Sequence, residues 1–78
     1  KMKRIDVRGK VDGQEREWTF LTNEDGQSLF VVVDGATKQL DYGCGYDDPW
    51  QMKKAIRGWL SACFNKVGRL NYTLKFFD

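Results

Sequence analysis

The feature that most constrains this chain is the Asp12-Gly13 pair, set between two segments of alternating polar and apolar residues. Asp-Gly favours a two-residue hairpin turn, because both central positions of a type I′ turn need positive φ angles. That turn pairs opposite charges on one face and apolar groups on the other. The predicted cross-strand pairs are Val11–Gln14, Lys10–Glu15, Arg8–Glu17, Val7–Trp18 and Ile5–Phe20. Charge and hydrophobicity therefore select the same register independently.

Two further turns and an apolar run follow this hairpin. Asn23 opens the next turn, and Gly26 supplies its left-handed residue. Leu29–Val33 is apolar at every position, which predicts a central strand covered on both faces. The segment Asp34–Lys38 then predicts a turn into a fourth strand. That strand carries alternate residues Leu40, Tyr42 and Cys44.

The Asp34–Lys38 segment has the pattern Asp-x-Ala-Thr-Lys and resembles the second hairpin of the immunoglobulin-binding domains of protein G. The likeness covers only these few residues. It implies a β-hairpin at this position and no shared function.

The segment after Asp48 carries the signals of one amphipathic helix. Asp48 is a favoured N-cap, Pro49 suits the first helical position, and Gln51 completes an Asp-x-x-Gln capping box. Gly68 is placed to end the helix in left-handed geometry. An apolar stripe at helical spacing predicts the buried face, namely Met52, Ala55, Ile56, Trp59, Leu60, Cys63 and Val67.

A closing strand follows, with apolar residues at alternate positions. The apolar set is Leu70, Tyr72, Leu74 and Phe76, and the polar set is Arg69, Asn71, Thr73 and Lys75. The order is therefore β-β-β-β-α-β, in one domain over residues 1–78. We expect an α+β fold, in which an antiparallel sheet of four to five strands carries one helix across one face. The last strand can pair beside the first strand or at the other edge.

The residues that carry most enzyme chemistry are scarce. The chain has no histidine, which removes the commonest general base and the commonest metal ligand. Cys44 lies between two glycines before the helix, but Asp47 and Asp48 oppose both a thiolate and a bound phosphate there. We therefore predict no enzyme activity, no cofactor and no metal site.

Cys44 and Cys63 are the only cysteines, too few for a disulfide framework. We interpret them as half-buried reduced thiols of a cytoplasmic protein, and the alternative is a single bridge between them. No apolar run reaches the roughly 18 residues of a membrane span, so we predict no membrane partner.

The charges are distributed unevenly along the chain. Residues 1–48 hold seven basic and ten acidic side chains, a net charge of −3. Residues 49–77 hold six basic side chains and no acidic one, a net charge of +6. The overall charge of +2 therefore conceals a strongly basic C-terminal part.

Part of this basic charge falls on the helix face opposite the apolar stripe. The residues of that face are Trp50, Lys54, Arg57, Ser61 and Asn65, with Lys53 beside them. A solvated face usually mixes signs, because acid–base pairs four residues apart stabilise a helix by about 0.2–0.5 kcal/mol. Here Lys53 and Arg57 repel instead, which favours a partner-binding surface. The alternative is an ordinary solvated face, with Trp50 folded back over the end of the sheet.

A second candidate surface follows from the apolar third strand. One alternate set of its residues must face away from the helix, either Phe30 and Val32 with Leu21 beside them, or Leu29, Val31 and Val33. An exposed apolar strip favours a partner or a homodimer through this sheet face. The alternative is a small tolerated patch.

Three functions compete at this stage. The first is a non-catalytic interaction or regulatory module, including an inhibitor, that binds an acidic surface of a larger protein or complex. The second is nucleic-acid binding through the same basic helix, against which stand Glu15, Glu17 and Asp41 on the outward sheet face. The third is an enzyme that uses carboxylate chemistry.

Overall fold

The computed structural model describes residues 2–40 and 48–77 and shows one antiparallel sheet with one helix. The elements are β1 (Met2–Val11), β2 (Gln14–Thr22), β3 (Leu29–Val33), β4 (Ala36–Leu40), α1 (Pro49–Cys63) and β5 (Val67–Phe77). The strand order is β4-β3-β2-β1-β5, so the last strand pairs beside the first. The predicted α+β fold and element order are confirmed.

The first hairpin has the predicted register in every pair, from Val11–Gln14 to Ile5–Phe20. Asp12 and Gly13 have φ angles of 49° and 83°, as a two-residue turn with two positive φ angles requires. In the sheet, β1 lies between β2 and β5 and pairs with both.

The second hairpin differs from the prediction in its turn. Asp34 and Gly35 alone form the turn, with φ angles of 51° and 80°, and Val33 pairs with Ala36. The predicted five-residue turn is wrong because this Asp-Gly pair meets the φ demands of a two-residue turn by itself. Thr37 and Lys38 therefore belong to β4, whereas Tyr42 and Cys44 lie outside the described residues.

Only one face of β3 is covered by the core. Leu29 and Val31 are buried, Phe30 and Val32 are half-buried, and Val33 is 44% exposed. The prediction of a strand covered on both faces is wrong, because the single helix packs against one side of the sheet only.

The helix buries its apolar stripe against the sheet. Met52, Ile56 and Leu60 are fully buried, and each contributes about 1.5–3 kcal/mol of hydrophobic stabilisation. Trp59 packs edge-on against Phe20, with ring centroids 5.8 Å apart. The core cluster comprises Ile5, Val7, Phe20, Leu29, Val31, Leu40, Met52, Ile56, Leu60 and Leu70.

The helix begins where predicted. Asp48 is the N-cap and Pro49 the first residue, but the Asp48 carboxylate accepts the N–H of Trp50 at 2.9 Å. The N–H of Gln51 is bonded to the Asp48 carbonyl instead, at 3.0 Å, so the cap differs from the predicted box.

The helix ends earlier than predicted. Phe64 is the C-cap, with an extended backbone, and its ring packs 5.9 Å from that of Trp18. Beyond it, the Asp12 carboxylate accepts the N–H of Lys66 at 2.7 Å, and the Asp12 N–H donates to the Lys66 carbonyl at 2.8 Å. The prediction that Gly68 ends the helix is wrong, because the first hairpin turn holds the chain in an extended path before Gly68 is reached. Val67 and Gly68 are residues of β5.

The β1–β5 pairing contains a bulge beside Gly9. A Cβ atom at Gly9 would lie 2.6 Å from Leu70 Cδ2 and 2.9 Å from the Arg69 carbonyl oxygen. Gly9 therefore lets the two strands approach closely at the point where their register shifts.

Within residues 2–40 and 48–77, no helix has the length and apolar character needed to cross a membrane.

Candidate functional site

Trp50 projects from the first turn of α1. Its backbone N–H donates to the Asp48 carboxylate, while 61% of the residue is exposed to solvent. The Lys54 ammonium lies one turn further along, 5.3 Å from the centroid of the indole ring. The alternative in which Trp50 folds back over the sheet is therefore wrong.

Lys53 and Arg57 connect the helix to β5. The Lys53 ammonium lies 5.2 Å from the centroid of the Tyr72 ring. The Arg57 guanidinium donates to the carbonyl oxygens of Gly68 and Val67 at 3.3 and 3.4 Å. These contacts align one side of α1 with β5 and leave a shallow groove between them.

This groove has a volume of about 500 Å³, and we call it the helix groove. Its lining residues are Trp50, Lys53, Lys54, Arg57, Gly58, Ser61 and Tyr72. Five of the six predicted binding residues therefore lie together. The exception is Asn65, which lies beyond the end of α1 with its N–H 3.4 Å from the Asp12 carboxylate.

Sequence reasoning missed two residues of the helix groove. Gly58 follows Lys54 by four residues and could have been placed on the same helix face from its spacing alone. Tyr72 could not, because its position depends on the pairing of β5 with β1, which the sequence left open.

The cations of the helix groove have aromatic and carbonyl partners rather than carboxylates. In the part of the chain that the structure describes, no ion pair includes Lys53, Lys54 or Arg57. Burial raises the pKa of the Tyr72 phenol above its ordinary value, and the neighbouring Arg57 charge partly offsets that rise. Tyr72 is therefore a neutral hydrogen-bonding group at neutral pH.

The opposite side of the sheet has a different electrostatic arrangement. Asp6 accepts from Arg4 at 2.8 Å and from the Thr19 hydroxyl at 3.1 Å, and Lys75 lies 3.5 Å away. The hydrogen bond from Arg4, together with Thr19 and the two positive charges, lowers the pKa of Asp6 although burial opposes the shift. We therefore assign the Asp6 carboxylate a structural role, in which it joins side chains of β1, β2 and β5.

Arg8 and Glu17 form a further ion pair on this side, 2.6 Å apart, as the hairpin register predicts. We call the charged region the outer sheet face; its residues are Arg4, Asp6, Arg8, Glu17, Thr19, Asn71, Thr73 and Lys75. They line a second concavity of about 540 Å³. Each of its cations has a carboxylate partner, whereas the described residues supply none to the cations of the helix groove.

The predicted apolar strip also lies on the side away from the helix. Leu21 pairs directly with Phe30, and Val32 is the next residue of β3 on that face. All three are half-buried rather than exposed. The first of the two predicted sets is therefore the correct one, and the strip is narrow.

The remaining candidates for chemistry receive little support. Among residues 2–40 and 48–77, no three side chains of metal-ligating type are grouped. Cys63 is a free thiol and is exposed, so the prediction that it is half-buried is wrong. The apolar stripe ends at Leu60, because the chain leaves the helix after Cys63. Cys44, Asp41 and Asp47 lie outside the described residues.

Comparison of the chain with protein-family models, with curated proteins and with solved structures found no match.

Proposed function

We propose that this protein is a small non-catalytic interaction module that binds an acidic surface of a larger protein or complex through the helix groove. The observation that carries the proposal is the gathering of Lys53, Lys54 and Arg57 around an exposed Trp50. No carboxylate of the described chain neutralises these three cations. Their positive field is therefore available to a partner.

The side chains of the groove have the character of interface anchors. Tryptophan, tyrosine and arginine are enriched among residues that dominate protein–protein binding energies. Lys54 rests over Trp50 and Lys53 over Tyr72, so the cations are partly ordered before a partner arrives. Such ordering lowers the entropic cost of binding.

Two of these cations repel each other within the helix. Lys53 and Arg57 are four residues apart, and like charges at this spacing destabilise a helix by about 0.2–0.5 kcal/mol. A single Glu in place of either residue would remove the repulsion. This repulsion favours a role of the cations in binding in addition to their contacts with β5.

A regulatory role, including inhibition, follows from the proposal. A module of 78 residues without histidine acts most simply by covering a surface of its partner. The free, exposed thiol of Cys63 favours a reducing compartment such as the cytoplasm.

Nucleic acid is the competing partner. The same cations and Trp50 offer phosphate and stacking contacts, but three cations neutralise few phosphates. Glu15 and Glu17 are exposed on the hairpin and would repel a second contact there. An acidic protein surface is therefore the preferred ligand.

The test compares poly-L-glutamate with a DNA duplex of equal charge. Lys53→Glu/Lys54→Glu reverses two charges of the helix groove near the positive end of the helix dipole, so the fold should be retained. We expect the wild type to bind poly-L-glutamate at low salt and the variant to bind at least about tenfold more weakly. Titration calorimetry measures both affinities.

Lys10→Glu/Lys38→Glu is the matched control, since it makes the same charge change at exposed positions outside the groove. It should bind poly-L-glutamate within about twofold of the wild type. If both double variants lost affinity for poly-L-glutamate equally, the loss would reflect net charge rather than the helix groove and would contradict the proposal. Tighter binding to DNA than to poly-L-glutamate, lost in the groove variant alone, would replace it with nucleic-acid recognition.

A further inference from the structure

The strand beside the helix groove forms an edge of the sheet. β5 runs for 11 residues, and among the described strands only β1 pairs with it. The opposite edge, β4, is described over 5 residues. Long edge strands present unpaired backbone groups on which another extended segment can pair.

The register identifies which backbone groups of β5 point outwards. Val11 and Gln14 flank a two-residue turn, so they form a hydrogen-bonded pair. From Val11 onwards, successive residues of β1 direct their backbone N–H and C=O groups alternately towards β2 and towards β5. The backbone N–H and C=O groups that point towards β5 are consequently those of Arg4, Asp6 and Arg8. Their partners on β5 are Lys75, Thr73 and Asn71.

The intervening residues of β5 are Leu70, Tyr72 and Leu74. Because their neighbours bond to β1, their own N–H and C=O groups point away from it. Arg57 already occupies the carbonyl oxygens of Gly68 and Val67 beside the bulge. On the side of β5 away from β1, no described residue pairs with the backbone from Leu70 to Leu74, and we call this stretch the open edge.

Positive charge lies on both sides of this stretch. Lys53 and Arg57 lie on the helix side, and Arg69 is exposed at the start of the stretch. Residues 49–77 contain no acidic side chain. A second copy of β5 would bring the same cations to the edge and would be repelled, whereas an acidic strand would be attracted.

We propose that an extended acidic segment of the partner adds to the open edge of β5 at Leu70–Leu74, with its carboxylates on the helix side beside Lys53 and Arg57. This mode gives main-chain hydrogen bonds for affinity and alternate side-chain contacts for specificity. The inference rests on the proposed function, since it names how the acidic partner reaches the helix groove. It also assigns Tyr72 two roles, with its ring in the groove and its backbone at the edge.

The test uses amide hydrogen exchange on the whole chain. The probe is an acetylated and amidated octapeptide of alternating glutamate and valine, added at low salt. We expect the N–H groups of Tyr72 and Leu74 to exchange at least about tenfold more slowly with the peptide bound. The N–H groups of Asn71 and Thr73 should change by less than about twofold, because β1 already binds them.

A peptide of the same sequence, N-methylated at alternate residues, is the control. It keeps the charge and lacks the backbone donors of one edge, so it should bind at least about tenfold more weakly. Equal affinity for both peptides, or no binding of the unmethylated one, would overturn strand addition. The proposed function is tested separately, by the affinities of the wild type and of Lys53→Glu/Lys54→Glu for poly-L-glutamate. Failure of strand addition can therefore be distinguished from failure of the proposed function.

Discussion

The helix groove and the outer sheet face are two concave, cation-bearing surfaces of similar size. On the outer sheet face, Asp6 joins Arg4 and Lys75 in one network, and Arg8 is paired with Glu17. In the helix groove, cations lie over aromatic rings or against carbonyl oxygens. Each cation of the outer sheet face thus has a carboxylate partner, whereas no carboxylate among the described residues pairs with a cation of the helix groove.

This difference originates in the order of residues along the chain. Opposite charges alternate across the first hairpin, so that pairing of β1 with β2 brings Arg8 to Glu17. All acidic residues except Asp78 precede the helix, and no carboxylate among the described residues pairs with the cations of α1. The two surfaces therefore differ in the position of the carboxylates rather than in the number of cations.

Gly9→Ala should have the largest effect, because it disturbs the β1–β5 junction that supports both surfaces. The added methyl would overlap Leu70 Cδ2 and the Arg69 carbonyl oxygen, and we expect a loss of about 2–3 kcal/mol in the free energy of unfolding. Urea titration measures this loss. Gly58→Ala, the same change at an exposed helix position, should instead add about 0.5–1 kcal/mol. If Gly9→Ala lowered the free energy of unfolding by no more than an ordinary surface substitution does, β1 and β5 would separate easily there and this prediction would be wrong.

Asp6→Asn should have a smaller and pH-dependent effect on the outer sheet face. The pKa of Asp6 is lowered below its ordinary value of 3.8, so its stabilisation is complete above that value and is lost as pH falls through the lowered pKa. At neutral pH the variant should be less stable by about 1 kcal/mol, in line with partly exposed ion pairs.

Urea titrations of both proteins across acidic pH measure this dependence. The stability difference between wild type and Asp6→Asn should shrink as Asp6 becomes protonated. A difference that stays constant down to the lowest pH would contradict the assigned network. Asp6→Asn should keep the poly-L-glutamate affinity of the helix groove at neutral pH, since Asp6 lies outside it, and any added binding should fall on the outer sheet face, where Arg4 and Lys75 lose their carboxylate.

Much of the fold could be predicted because its determinants are local. The Asp12-Gly13 turn and the alternation beside it define the register of β1 and β2 without reference to the rest of the chain. Asp48 and Pro49 likewise define the start of α1. Spacing along the helix then groups Trp50 with the basic residues of the groove.

The features that could not be predicted depend on contacts between distant segments. Asp12 binds the backbone of Lys66 across more than fifty residues of sequence, which places the helix end before Gly68. Lys75 reaches Asp6 only because β5 lies next to β1, a pairing that the sequence left open. Tyr72 enters the helix groove for the same reason.

Chemical-shift mapping with poly-L-glutamate tests the central claim most directly, since it compares the two surfaces in one experiment. The backbone amides of the labelled wild-type protein are followed during titration at low salt and neutral pH. The account predicts that the largest shifts fall on residues 50–61 and on Tyr72, while residues 4–8 and 15–19 change little. Largest shifts on residues 4–8 and 15–19 would contradict it.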